Sequence, residues 1–201
     1  MKLMKLHTVV GGKTISIFAF FVFVLFCGFM KIAEAQQKWS ITAYGALLSS
    51  APIEKSLVNF DDIEESYQFV ALALGRWIGS YKKIGFEMEG QIVKHLGDQH
   101  HMEFNAAIIA RLVNFPWENT NLAFGEGLSM ASRKPKFEKE IHEGKASALL
   151  NYLMFELALS LPDAPKWEMI ARLHHRSGVN GLFNDVSGGS NALGVGIRYK
   201  F

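Results

Sequence analysis

Residues 84–113 read IGFEMEGQIVKHLGDQHHMEFNAAIIARLV, and this stretch decides the fold. In its first half Ile84, Phe86, Met88 and Ile92 fall on one side of a two-residue repeat, with Glu87, Glu89 and Gln91 on the other. In its second half Phe104, Ala106, Ile108, Ala110 and Leu112 oppose Glu103, Asn105 and Arg111. Side chains alternate across a strand but recur every 3.6 residues around a helix, so the pattern predicts a strand, a turn at 97–100 and a second strand.

The same period runs through the flanking sequence. Strands are expected at 38–48, 66–79, 84–96, 101–113, 121–131, 148–161, 167–177 and 191–201. Residues 148–161 hold several good helix formers, but Leu153, Phe155, Leu157 and Leu159 alternate there with Asn151 and Glu156, and this alternation with the flanking Pro162 and Pro165 favours a strand. Polar loops are expected at 49–65 and 132–147, and short turns at 80–83, 97–100 and 162–165. Strands of about ten residues match what a tilted strand needs to cross a bilayer.

Alternation alone fits a soluble sandwich as well as a membrane barrel. Three features favour the membrane. Connections after the second, fourth and sixth strands are short and those after the first, fifth and seventh are long, as periplasmic turns and outer loops are, although that after the third is short. The last strand places Leu193, Val195, Ile197, Tyr199 and Phe201 on one face, and its terminal aromatic resembles the assembly signal of bacterial outer-membrane proteins. Trp39, Tyr44, Tyr67, Trp77, Tyr81, Trp117, Trp167 and Tyr199 lie mostly near strand ends, as an aromatic girdle would. The expected fold is all-β, an eight-stranded antiparallel transmembrane β-barrel of up-and-down topology in the outer membrane.

The N-terminus differs from the rest. Lys2, Lys5 and Lys13 precede an apolar run at 15–30, and Ala33-Glu34-Ala35 supplies a small-x-small cleavage pattern. The run is shorter than the roughly 20 residues of a spanning helix. It is therefore expected to be a cleaved signal peptide, residues 1–35, leaving residues 36–201 as the barrel. Bulky Phe26 argues against lipid modification of Cys27, the chain's single cysteine. A mature chain without cysteine has no disulfide, thiol nucleophile or thiolate metal ligand. Near-neutral charge with no basic cluster argues against nucleic acid as a partner.

Chemistry is expected on the seventh strand. Glu168, Ile170, Arg172, His174 and Arg176 form its largely charged, lumen-facing side. Trp167, Met169, Ala171, Leu173, His175 and Ser177 form the lipid-facing side, which is apolar until its last two members. Residues two apart on a strand are roughly 7 Å apart, so a His nitrogen can approach a Ser hydroxyl when rotamers converge. That is the relation of a base to its nucleophile. The plain alternative is a polar pair at headgroup level that merely ends the strand.

Residues 172–201, RLHHRSGVNGLFNDVSGGSNALGVGIRYKF, resemble the C-terminal segment of the outer-membrane lipid A 3-O-deacylase family. Those eight-stranded barrels hydrolyse an ester-linked acyl chain of lipopolysaccharide in the outer leaflet. The resemblance covers the last 30 residues or so; the rest agrees only in architecture. It implies His175 as general base, Ser177 as nucleophile, and lipid A as the partner, with no metal or cofactor. The family's Glu, about a dozen residues after the Ser, is replaced here by Gly189. Asn191 is the leading candidate for the third member, with Asp185 and Glu126 as alternatives. Backbone amides at 178–181 are expected to hold the oxyanion. His95, His100, His101 and His142 are read as scattered loop histidines and not as a metal site. The alternative function is a non-enzymatic small barrel, structural or transporting, with a vestigial His-x-Ser pair. Oligomeric state is not read from the sequence.

Overall fold

The computed structural model describes residues 38–58, 62–186 and 188–201. The expected signal peptide, residues 1–35, lies outside the described residues. Strands β1 (Trp39–Ser49), β2 (Ile63–Tyr81), β3 (Ile84–Gly97), β4 (Met102–Leu112), β5 (Thr120–Ala131), β6 (Leu149–Leu161), β7 (Ala164–Ser177) and β8 (Gly189–Lys200) follow one another in the chain. Each pairs antiparallel with its sequence neighbours, and β8 returns to β1 to close the barrel. Closure leaves no strand edge unpaired, which the membrane interior requires of any spanning sheet.

The two polar loops each carry a helical turn that the sequence pattern does not reveal. Helix α1 (Ile53–Val58) lies in the β1–β2 connection and α2 (Lys136–Ile141) in the β5–β6 connection. Six residues are too few to display a 3.6-residue period. Helix α2 follows Pro135 and buries Phe137 and Glu138. Phe137 packs on Tyr67, ring centroids 4.9 Å apart, and joins a cluster with Tyr44, Phe69 and Val93. The helix thus caps the outer mouth of the lumen. Glu138 is held by Arg176 Nη1 at 2.5 Å and Ser190 Oγ at 3.1 Å. Burial outweighs Arg176 and raises its carboxyl to about 7.

The parity of the strands sorts the barrel into two surfaces. Outward positions such as Leu72, Met88, Phe104, Phe124, Phe155, Met169 and Val195 form an exposed apolar belt around the barrel. Inward positions carry the charges. Arg111 binds Glu87 at 2.6 Å and Glu156 at 2.8 Å. Arg172 binds Glu89 and Glu156, each at 2.6 Å, and Arg198 binds Glu156 at 2.7 Å and Glu168 at 3.1 Å. These pairs satisfy one another, as buried charges must. Arg172, Arg176, Tyr152 and Met154 are fully buried, so side chains fill the centre, as expected for eight strands.

Two local readings are corrected. Tyr44 and Tyr67 are buried and do not belong to a girdle. Tyr44 points into the lumen, with its hydroxyl 3.0 Å from His174 Nδ1. Exposed Trp39, Tyr81 and Trp167 lie at the end where the start of β1 meets Phe201, and the Trp167 and Tyr199 rings lie 4.8 Å apart. The girdle therefore marks the inner rim. Asn151, read as opposite Leu153, shares its outward parity and pairs across the sheet with Ser177.

Candidate functional site

The outer ends of β7 and β8 bring together residues 16 positions apart. The β7–β8 register sets His175 opposite Asn191, and the β6–β7 register sets Leu153 opposite His175. His175 points outward while His174 points into the lumen, as the alternation requires. His175 Nδ1 lies 2.7 Å from Asn191 Oδ1. Asn191 Nδ2 donates to the Ala51 carbonyl at 2.7 Å. A carbonyl only accepts, so the Asn191 nitrogen must face Ala51 and its oxygen must face the ring. The proton of a neutral His175 then sits on Nδ1, and Nε2 carries the free lone pair. This is the tautomer a general base requires. Asn191 is only 7% exposed, and the β1–β2 loop that supplies Ala51 is tied back by the Ala51 amide, which donates to Ser49 Oγ at 3.2 Å.

Ser177 is placed on the same outward face but is not yet engaged. Its Oγ accepts from the Val179 amide at 3.0 Å. Among the described residues no hydrogen bond joins it to His175. Catalytic hydrogen bonds are often loose before substrate binds, and one rotation about Cα–Cβ redirects a hydroxyl. Val179 is held at φ 48°, a region a β-branched residue rarely occupies. That strain fixes the amide against Ser177.

The other expected members do not converge. Asp185 is exposed in the β7–β8 loop at φ 57°, with its amide donating to the Gly181 carbonyl at 3.3 Å. It serves the turn. Glu126 is outward and exposed in β5, in regular register with Leu153 of β6. No bulge turns it inward, and two strand spacings, roughly 10 Å, separate it from His175. Three of the four amides expected to hold an oxyanion are already used: Gly178 donates to Gly188, Gly181 to Val186, and Val179 to Ser177.

A second cluster lies inside the outer mouth, and sequence spacing did not reveal it. His95 Nε2 lies 3.0 Å from Glu103 Oε2, and His174 Nε2 lies 2.9 Å from Glu103 Oε1. His101 stacks on His95, centroids 4.0 Å apart. Burial, reinforced by His95, pushes His101 down to about 3, so its ring is neutral. Histidines 95 and 101 were separated by a turn in the sequence; hairpin pairing brings them face to face.

A closed eight-stranded barrel with an apolar exterior and a charged, packed interior inverts the arrangement of a soluble protein. This is the arrangement of a small transmembrane β-barrel. The fold is similar to that of Neisserial surface protein A, at 14% identity and TM-score 0.47, over 81% of this chain and 97% of that one. It is also similar to the outer membrane protein OprG of Pseudomonas aeruginosa, at 11% identity and TM-score 0.38, over 85% of this chain and 99% of that one. No family model and no characterised protein matches the chain in sequence.

Proposed function

We propose that this barrel is an outer-leaflet esterase that removes an ester-linked acyl chain from lipid A. One observation carries the reading: the Asn191 amide, fixed by Ala51, holds His175 in the Nδ1–H tautomer beside Ser177 at the lipid-facing rim. His175 Nε2 takes the Ser177 proton as Oγ adds to the ester carbonyl. Collapse of the tetrahedral adduct expels the sugar alcohol, which takes the proton from His175. Water then attacks the acyl-serine with the same base and releases the fatty acid. An amide orients the imidazole without charge, so imidazolium gains less than beside a carboxylate. Mass spectrometry of lipid A from cells with and without the protein tests the reading. One acyl chain should be lost with the wild type and retained with His175→Ala and Ser177→Ala; an unchanged profile with well-folded wild type sinks it.

A second reading is a non-enzymatic small barrel. The engagement of Ser177 Oγ by the Val179 amide, with no bond to His175, favours it, and the fold likeness is to proteins named only as surface and outer-membrane proteins. A centre filled by Arg172, Tyr152 and Met154 makes that role structural and not that of a wide pore.

A further inference from the structure

We propose that His95, His101 and Glu103 form a binding site for a first-row divalent transition-metal ion, with zinc as the reference cation, inside the outer mouth of the barrel. Each of the three offers a donor atom, and these atoms lie within 4.8 Å of one another. All three residues are buried, His101 to 3% exposure. His95 closes β3, His101 ends the turn, and Glu103 opens β4, so one hairpin supplies the whole set.

The second observation is a buried nitrogen. Nε2 of His101 is enclosed and has no hydrogen-bond partner among the described residues. Leaving such an atom dry and unpaired is costly. His95, Glu103 and His174, by contrast, each have both polar side-chain atoms hydrogen-bonded. Glu103 keeps its second oxygen on His174, 2.9 Å away. That arrangement steadies a ligating carboxylate, as outer hydrogen bonds do in metal sites.

The hydrogen bonds also say how the site would load. The Phe137 amide donates to Gln99 Oε1 at 3.3 Å, so Gln99 Nε2 faces His95 Nδ1, at 3.0 Å. An amide NH₂ only donates, so the His95 proton sits on Nε2 and points at Glu103. A metal on Nε2 takes the place of that proton, which moves to Nδ1. Gln99 must then turn its oxygen toward the ring and release the Phe137 amide. Tetrahedral bonds of 2.0–2.2 Å put donors roughly 3.4 Å apart, so the side chains must also close. Arg176 Nε, 3.7 Å from Glu103 Oε2, opposes a cation and lowers the affinity.

Two imidazoles and one carboxylate select borderline metals such as zinc, cobalt, nickel or copper. Calcium and magnesium want six or more oxygens or an octahedral hydrated site, which this cluster does not offer.

The test uses the full chain extracted in detergent, stripped with a chelator and titrated with zinc. A single equivalent should bind and resist excess calcium and magnesium. His101→Asn should weaken binding at least about 100-fold, and Gln99→Ala about 10-fold, while His100→Asn, on the exposed neighbour, should leave it unchanged. Equal binding by wild type and folded His101→Asn, or displacement by calcium, overturns the proposal. Should His101→Asn fail to fold, X-ray absorption of the zinc-loaded wild type decides. Nitrogen and oxygen ligands with the scattering of two imidazoles support the site; one imidazole or none overturns it.

Discussion

Replacing Asn191 with Asp separates orientation of His175 from its electrostatic support. Asn191 now accepts from His175 Nδ1 at 2.7 Å and donates to the Ala51 carbonyl at 2.7 Å. Asp keeps the first bond and charges it. A neutral hydrogen bond is worth about 0.5–1.5 kcal/mol and one to a charged group about 1.5–3. The difference, about 1.4 kcal/mol, appears only when His175 becomes imidazolium in the transition state, so ester hydrolysis should rise about tenfold. The carboxylate cannot donate, so the Ala51 carbonyl keeps only Ser56 Oγ, at 3.1 Å, and faces a buried carboxylate oxygen; stability should fall by about 1–3 kcal/mol. Asn191→Ala loses both bonds and should slow hydrolysis about five- to tenfold. Fatty acid released from lipopolysaccharide in mixed micelles measures the rate, and heat-modified gel mobility checks that each variant is folded. A folded Asn191→Ala with the wild-type rate, or a folded Asn191→Asp with no gain, refutes the orienting role of Asn191.

Three further outcomes are expected. Arg172→Met leaves Glu89 without the guanidinium it binds at 2.6 Å and should cost about 3–5 kcal/mol in urea unfolding; a smaller loss than about 1 kcal/mol would mean the lumen network is not a unit. Glu138 titrates at about 7 when folded, above its unfolded value of about 4.3, so it favours docking of α2 fully at low pH. That contribution, up to roughly 3 kcal/mol, is lost as pH rises from about 4.3 to about 7. Hydrogen exchange of α2, corrected for its intrinsic rate, should therefore accelerate over this window in wild type and stay flat in Glu138→Gln. Glu126→Leu removes a carboxylate from the apolar exterior of β5 and should stabilise the barrel in bilayers by up to about 2 kcal/mol; destabilisation would point to a partner for Glu126.

Much of the architecture was legible because a strand has only two faces. Once the charged faces of β3 and β7 were taken as inward, parity within each strand placed Met88 and His175 outward. The same rule failed where the chain leaves the sheet. Helix α2 was invisible because six residues carry no usable period, yet Phe137 and Glu138 close the lumen. Tyr44 was taken for an interfacial aromatic because sequence position does not say which face of β1 lies inside. The amides at 178–181 were expected to be open; the turn uses those of Gly178, Val179 and Gly181 for its own hydrogen bonds.

By itself the sequence determined the number of strands, which residues share a face within each strand, and the local pair of His175 and Ser177. Those follow from the two-residue repeat, a property of the backbone alone. Only the tertiary structure decided which strands meet and at what register. That register, fixed by closure of β8 onto β1, put Asn191 against His175 and Ala51 against Asn191. It also folded His95 over His101 and aimed both at Glu103. No spacing along the chain encodes such contacts, because they depend on relative strand position, and a slip of one residue would exchange every inward and outward side chain.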